Sequence, residues 1–347
     1  MRSHWRTLGL TLVLGILSAR AGAQPVELPI RPTDGDGPTN HAVLLPPQVF
    51  DVPVKGPNNI RERYGEFSIS GGAILLQPVF STNPAFTVSG AGGKNARQVD
   101  FGQRLDAGPD VWIAYTPERG WGVRGRWFQF DHDANASYAV LPGETIRGIT
   151  SFPVGQTPVA GAAIANSNLA VNMFDAQLTR NFGNERWTHL VGFGLRYAHM
   201  SQDYRANLTS PITQITLTSG HNFNGWGPSI AWESKRRCGD TGFAIYAKTH
   251  FAVAFGQGNE SYLALNNGRR SENDHGFTDV LPIGELEAGV EYQRDLGKAK
   301  AFVQTGFAGQ IWWGGGNASN SYAQGRHSAA DSNFGFVGLV VRAGVRY

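Results

Sequence analysis

The sequence predicts an all-β protein, an antiparallel up-and-down transmembrane β-barrel of about ten strands, within a range of eight to twelve. Three observations predict this fold. Stretches of about ten residues alternate between apolar and polar side chains, and a period of two places the two sets on opposite faces of a strand. The connections between these stretches are alternately short and long. A secretory signal precedes all of them.

Residues 1–23 have the three parts of a signal peptide: a basic start, an apolar run over residues 8–17 and the cleavage motif Ala21-Gly22-Ala23. The apolar run is shorter than the roughly 20 residues that span a bilayer. We therefore expect export. Residues 24–62 are rich in proline, and we expect a periplasmic segment or linker, with peptidoglycan as a candidate partner. Residues 63–347 then form the barrel.

Composition excludes several classes of protein. The chain has 347 residues, 45 of them glycine, and only 16% are charged, against a globular average of about 25%. After residue 23 the chain carries 27 basic and 27 acidic residues, so nothing in its charge favours a nucleic-acid partner. Its single cysteine, Cys238, excludes an internal disulfide framework. No later stretch reaches 18 apolar residues, which argues against membrane-spanning helices.

The alternation is clear in MFDAQLTRNF, where Phe174, Ala176 and Leu178 alternate with polar residues. A helical period would scatter these apolar residues around the axis, whereas a strand places them on one face. Ten such stretches are predicted as strands: 65–77, 106–117, 120–132, 169–182, 186–202, 222–235, 241–256, 280–294, 299–313 and 334–347.

The connections alternate in length along the whole predicted barrel. Strands 2–3, 4–5, 6–7 and 8–9 are joined by short turns, and the other five connections have about 20–36 residues, of which 134–168 and 203–221 could each add a hairpin. Outer-membrane barrels have short periplasmic turns and long outer loops, which is the pattern expected here. A soluble β-sandwich is the competing fold. Aromatic residues collect at membrane interfaces, and tryptophans recur near the predicted strand ends at positions 112, 121, 127, 187, 226, 232, 312 and 313.

The last strand ends on an aromatic residue, Tyr347. A terminal aromatic on an alternating strand resembles the signal that barrel-assembly machinery recognises in outer-membrane barrels. The resemblance is partial, because Arg342 occupies the position where such signals usually have glycine. We expect outer-membrane lipid and the assembly machinery as partners.

If the apolar parity faces lipid, the charged residues of the other parity line the lumen. Lysine or arginine facing lipid at mid-membrane costs about 2–4 kcal/mol, so inward placement is favoured. These charges either form a constriction that filters solutes or pair across the lumen and fill it. The predicted lumen-lining residues are Asp110, Arg124, Arg126, Asp175, Arg196, Glu233, Lys248, His250, Glu285, Glu287, Glu291, Arg342 and Arg346.

Several motifs resemble a known family. DAGPDVWIAYT, GWGVRGRWFQFDHD, HLVGFGLRYAHM, NFNGWGPSIAWES and QIWW are similar to the pore-forming outer-membrane proteins related to the Legionella major outer membrane protein. Planctomycete members of that family also carry a Pro/Gly-rich N-terminal stretch. The resemblance covers residues 65–347 and implies a pore-forming barrel without catalytic residues. We expect a porin-like channel for ions or small solutes in the cell outer membrane; the alternative is a closed structural or surface-binding barrel.

Two groups of residues are candidates for chemistry. Asp131-His132-Asp133 ends the third strand, and Asp274-His275 lies in the fourth long connection. Neighbouring strand residues point to opposite faces, so His132 cannot share a site with both flanking aspartates. No G-x-S-x-G motif is present, and the carboxylates have no recognisable metal-ligand spacing. We expect neither an enzyme nor a cofactor. The polar long connections suit contacts with surface glycans.

Overall fold

A computed structural model of the chain describes residues 65–91, 95–118, 120–148, 158–320 and 332–347. The predicted signal peptide and proline-rich segment lie outside these residues and remain predictions. No helix in the described ranges has the length and hydropathy of a membrane span.

Ten antiparallel strands form a closed barrel, as the alternating pattern predicts. The barrel strands are β1 (Glu66–Phe80), β4 (Asp106–Thr116), β5 (Gly122–Ala139), β7 (Ala162–Gly183), β8 (Trp187–Thr209), β9 (Gln214–Arg237), β10 (Phe243–Asn266), β11 (Arg269–Leu296), β12 (Ala299–Trp312) and β13 (Phe334–Arg346). Each strand is hydrogen-bonded to its neighbour in the order β1-β13-β12-β11-β10-β9-β8-β7-β5-β4, and β4 returns to β1.

The last strand closes the ring against the first. The β1–β13 register runs from Ser68 opposite Arg346 to Phe80 opposite Phe334. Beyond the strand end, the backbone N–H groups of Phe67 and Tyr347 each donate to the other's carbonyl at 2.8 Å. The Tyr347 side chain is 68% exposed. Its role as an assembly signal remains a prediction.

One half of the barrel has an apolar outer surface, and we call it the membrane half. It contains both barrel termini and the short turns. Large apolar side chains on its outer face are exposed, as in Phe67, Ile113, Leu178, Phe193, Ile230, Phe251, Val290, Phe307 and Val341. Trp121, Trp187, Trp226 and Trp232 also face outward, as expected for interface aromatics. Trp112 does not, since its parity turns it into the lumen, and Trp312 is fully buried.

The other half of the barrel, which we call the outer half, differs from the prediction of five long outer connections. Residues 203–221 and 257–279 are extensions of strands rather than loops. Strands β8 and β9 meet at a tight turn in which the Ser210 N–H donates to the Thr213 carbonyl at 2.8 Å. Strands β10 and β11 meet at Asn267-Gly268, both with positive φ (46° and 84°), the geometry of a type I′ hairpin. These strands have 23 to 28 residues, well beyond the roughly 9–11 that span a membrane.

Three further strands form a small sheet at the outer end, in the order β3-β2-β6: β2 (Pro84–Ser89), β3 (Arg97–Asp100) and β6 (Thr145–Arg147). Phe86 and Val88 of this sheet share an apolar core with inward residues of the outer half, including Tyr204 and Leu217. The Tyr204 hydroxyl donates to the Ala85 carbonyl at 2.6 Å. The sheet therefore packs against the inner face of the barrel wall and fills its outer end.

Candidate functional site: the charged lumen

The candidate site is the inner surface of the membrane half. Strand alternation turns all thirteen predicted lumen residues to this surface, where most are buried: Asp110, Arg124, Arg126, Asp175, Arg196, Glu233, Lys248, His250, Glu285, Glu287, Glu291, Arg342 and Arg346. The structure brings these side chains together in one connected network of ion pairs and hydrogen bonds.

Arg342 links three strands on one side of the lumen. Its guanidinium donates to the Asp110 carboxylate on β4 and, at 3.0 Å, to Glu287 Oε1 on β11. Both Asp110 and Arg342 lie beside Gly72 in the strand ladder. Because this glycine has no side chain, the guanidinium reaches across β1. Arg126 Nε donates to the second Asp110 oxygen at 2.7 Å, so two arginines hold one fully buried carboxylate.

Arg196 is the centre of a second group. Its guanidinium makes two hydrogen bonds with Asp175, at 2.7 and 2.9 Å, the two-point geometry that favours arginine over lysine. It also donates to His250 Nδ1 at 2.9 Å and forms an ion pair with Glu285. Arg126 Nη1 donates to the same Glu285 at 2.6 Å. Since β5 and β11 are separated in the barrel by four strands, this bond crosses the lumen.

A third set of bonds links β5 to β7 and β9, and β10 to β11. Arg124 donates to Glu233 and, at 2.7 Å, to the side-chain amide oxygen Oε1 of Gln177. Lys248 forms an ion pair with Glu287 at 3.1 Å. These contacts extend the network of alternating charges across the lumen.

Glu291 anchors the network toward the end with the short turns. This fully buried carboxylate accepts hydrogen bonds from Lys235 at 3.1 Å, Arg346 at 2.9 Å and Gln304 at 2.7 Å. Three donors on one carboxylate satisfy it without water. At this end of the network two cations therefore share one buried carboxylate.

Trp112 lies among four cations of the network. The sequence predicted this residue as an aromatic at the membrane interface, so its place in the lumen was missed. Its indole Nε1 donates to Asp110 Oδ2 at 3.0 Å. Trp112 is two residues from Asp110 on the same strand, and this shared parity was the signal that its ring faces the lumen. Four cations lie within 6 Å of its ring centroids: Arg124 (4.7 Å), Arg126 (4.8 Å), Lys248 (5.8 Å) and Arg342 (5.8 Å). Such contacts are attractive, more so when desolvated.

An apolar layer lies directly above the charges, toward the outer half. Phe130 and Phe336 meet edge to face across β5 and β13, with ring centroids 5.0 Å apart. Phe336 packs in turn on Phe334, which stacks on Trp312. The layer is buried and includes Ile74, Leu76, Phe128, Leu169, Val171, Met173, Met200, Phe223, Leu281, Ile283 and Val340. In this conformation the lumen is closed by packed side chains.

The charged region contains a small and a larger cavity. The small one, of about 40 Å³, lies between the charged network and the apolar layer. The larger one, of about 270 Å³, lies at the end of the lumen with the short turns. Trp112, Arg124, Glu233 and Lys248 line both cavities and separate them. Ile74, Leu76 and Phe128 of the apolar layer also line the smaller cavity, whereas no described residue of that layer lines the larger one.

The residues considered for catalysis do not assemble into a reactive site. Asp131 and Asp133 are exposed on the outer face of β5, whereas His132 is buried inside. Both ring nitrogens of His132 are occupied: Nδ1 lies 2.7 Å from Asp106 Oδ2, and Nε2 lies 2.7 Å from Gln103 Oε1. This pairing fastens the start of β4 to β5.

The other candidate pair, Asp274-His275, lies within strand β11 rather than in a loop. The carboxylates Glu272 and Asp279 lie in the same strand. Among the described ranges, no group of three or more His, Cys, Asp or Glu side chains is arranged to hold a metal ion.

Comparison with known proteins gives one family and several distant folds. The family model of the Legionella pneumophila major outer membrane protein precursor matches residues 61–346, nearly the whole barrel. No curated protein matches the chain.

The chain is also similar to solved outer-membrane structures. The outer membrane protease OmpT from Escherichia coli has 12% identity and a TM-score of 0.42, with 81% of this chain and 96% of that chain covered. A Pseudomonas aeruginosa FadL homologue has 6% identity and a TM-score of 0.24, with 82% and 90% covered. The Ralstonia pickettii toluene transporter TbuX has 9% identity and a TM-score of 0.21, again with 82% and 90% covered. At these values the likenesses carry no argument about activity.

Proposed function

We propose that this chain, which belongs to the family of the Legionella pneumophila major outer membrane protein, is a porin-like barrel that passes ions or small solutes and is shut in the conformation described here. The family and the barrel place it in the outer membrane. What it conducts, and how it opens, are the subject of the proposal.

The observation that carries the proposal is the buried charge network. A buried ion pair loses much of its Coulombic gain to desolvation, and apolar replacements of similar volume are often neutral or stabilising. The same barrel fills its outer half with apolar side chains, so a structural filling of the membrane half needs no charge. Rings of charged side chains are what solute-selective pores use. The network is therefore better explained by contact with polar solutes than by stability.

The apolar layer supports the second part of the proposal. Barrels of about eight strands have just enough room for side chains, whereas open aqueous channels have about 16–18 strands. A ten-stranded barrel with Phe130 and Phe336 packed across its lumen is shut. Conduction then requires these rings and the small outer sheet to move aside. We expect infrequent openings of low conductance.

Single-channel recording in planar bilayers tests the proposal. The detergent-folded wild type is compared with Phe130→Ala/Phe336→Ala, which removes the two rings, and with Phe174→Ala, an outward-facing control. A boiled sample controls for contaminants, and heat-modifiable migration shows that each variant is folded. We expect rare discrete steps from the wild type and Phe174→Ala, and more frequent or larger steps from the double variant. Silence from all three folded proteins would overturn the porin proposal.

Absence of conductance would favour a second candidate function, a closed structural or surface-binding barrel. The observation behind it is the outer half itself, whose paired strands continue to the tight turns at 210–213 and 267–268 instead of ending in loops. The described outer face there is polar, with Asp203, Arg205 and Asn222 among its residues. Surface glycans and peptidoglycan remain candidate partners.

A non-enzymatic role is part of the same proposal. A general base needs a free position within hydrogen-bonding reach of its proton donor. Asp106 and Gln103 occupy both nitrogens of His132. Loss of a hydrolytic activity on His132→Ala would contradict this part of the proposal.

A further inference from the structure

The larger cavity opens at the end of the barrel that carries the short turns, and we call it the vestibule. It is lined by inward-facing residues of all ten barrel strands, near the ends that carry the short turns. Its volume of about 270 Å³ is slightly below the range of roughly 300–1,000 Å³ typical of pockets for drug-sized ligands. The vestibule therefore suits a smaller solute.

The vestibule has an excess of positive charge. Seven basic side chains line it against three carboxylates, those of Glu66, Glu233 and Glu291. Five of the seven are held in ion pairs: Arg124, Lys235, Lys248, Arg342 and Arg346.

The remaining two basic residues are Arg237 and Lys300, and in the described part of the chain neither has a carboxylate within 4 Å. Lys300 faces Arg346 across β12 and β13, and its other ladder neighbour is Asp295, which forms no described ion pair with it. Arg237 ends β9, so the two available cations lie on different strands of the vestibule wall. An anion between them would be attracted from both sides.

The inner end of the vestibule offers further recognition groups. Tyr246 is 3% exposed, and its hydroxyl lies beside the Glu287 carboxylate without a well-formed hydrogen bond among the described residues. A buried hydroxyl with incomplete hydrogen bonding costs free energy, which a bound polar ligand would reduce. Phe302 and Trp112 supply aromatic surface beside it.

We infer that the vestibule binds a small anionic solute bearing carboxylate or phosphate groups, which enters from the side of the short turns. Arg237 and Lys300 attract the anion, and the Tyr246 hydroxyl contacts its polar groups. This binding is independent of the proposed conduction, because the vestibule lies below the apolar layer and is reached without opening the lumen.

Calorimetric titration of the detergent-folded full chain tests the inference, with citrate and inorganic phosphate as separate probes. The matched variants are Arg237→Gln/Lys300→Gln and, as control, Arg294→Gln, an exposed arginine on the outer face of β11 near the same rim. We expect saturable binding of at least one probe to the wild type and the control, and at least tenfold weaker binding to the double variant. Binding should also weaken as salt rises, since charges in a hydrated cavity are screened.

The two probes distinguish the sources of the ligand chemistry: tighter citrate binding indicates a carboxylate ligand, and tighter phosphate binding a phosphate ligand. Heat-modifiable migration confirms that each variant is folded. Absence of binding by both probes, or equal affinity for wild type and double variant, would overturn the inference. Tyr246→Phe provides a second measurement, with an expected loss of about threefold to tenfold while the fold is retained.

Discussion

The same strands run through the membrane half and the outer half, but their apolar side chains face outward in the membrane half and inward in the outer half. In the membrane half of β8, Phe193 and Leu195 point outward while Arg196 points into the lumen. Further along the same strand, Asp203 points outward and Tyr204 inward. Strand parity does not change between them. The outer surface changes from lipid to water, so the apolar face moves from outside to inside, and the reversal marks the membrane boundary.

The two halves are also filled by different means. Ion pairs fill the membrane half: Arg126–Asp110 and Arg196–Asp175 join neighbouring strands, and Arg126–Glu285 crosses the lumen. The exposed apolar side chains of this half lie on its outer face. The outer half has an ordinary apolar core shared with the small sheet. Disturbing a charge and disturbing a ring should therefore have different consequences, which the following variants measure.

The largest effect is expected from Arg342→Met. Removing this guanidinium leaves the Asp110 and Glu287 carboxylates with fewer partners in a buried site. Breaking a buried pair in this way costs about 3–5 kcal/mol of unfolding free energy. Urea unfolding of the folded protein measures the loss. Arg270→Met is the control, because its ion pair with Glu272 is exposed and such pairs are worth at most about 1 kcal/mol. Equal losses for the two variants would refute the burial argument.

Phe336→Ala should destabilise the apolar layer by about 3 kcal/mol. This loss of unfolding free energy is at the lower end of the range for Phe→Ala in a core, because Phe130 and Phe334 can shift toward the cavity that the substitution leaves. Phe307→Ala is the comparison, since that ring is 74% exposed on the outer face and leaves no internal cavity. The same unfolding assay applies. An unchanged midpoint for Phe336→Ala would show that the layer is loosely packed.

The tip of the β10–β11 hairpin should respond to Gly268→Val. Its φ of 84° is in the left-handed region, where a side chain costs about 1–2 kcal/mol. Amide hydrogen exchange should increase at the turn and not in the membrane half. Gly276→Ala in the same hairpin is the control, because a Cβ there meets only one atom, at 3.9 Å. Unaltered exchange at residues 265–270 would contradict the expectation.

The smallest effect concerns acid pH at the outer end. The Leu141 N–H and the Tyr138 hydroxyl donate to Glu144 and hold the pKa of its carboxyl below the usual value of 4.5. A lowered folded-state pKa stabilises the turn above pH 4.5 and loses that contribution as pH falls through the folded value. The protection factors of the amides at residues 140–145, corrected for the intrinsic pH dependence of hydrogen exchange, should fall on acidification. In Glu144→Gln this pH dependence should be absent, and its persistence would assign the effect to another group.

The positions of the strands, and the inward orientation of their charged side chains, were predictable from the sequence. Each of the ten predicted stretches coincides with a barrel strand and extends beyond it by at most two residues, and the family resemblance is confirmed over residues 61–346. Inward charges followed from the cost of exposing them to lipid. The prediction failed where the apolar face moves from outside to inside. Residues 203–221 and 257–279 were predicted as loops because their outer faces are polar and so lack the apolar outer parity of a lipid-facing strand. In the structure they extend the strands into water.

The sequence by itself therefore determined the barrel, its closure by the last strand and the parity of each charged residue, because these depend on a local period of two and on the solvent each face meets. Only the tertiary structure decided which charges pair, since Arg126 and Glu285 are 159 residues apart and meet across the lumen. It also decided that Trp112 lies among cations and that the apolar layer shuts the lumen. Those outcomes depend on barrel diameter and strand stagger, which bring distant side chains within contact distance and have no local pattern in the chain.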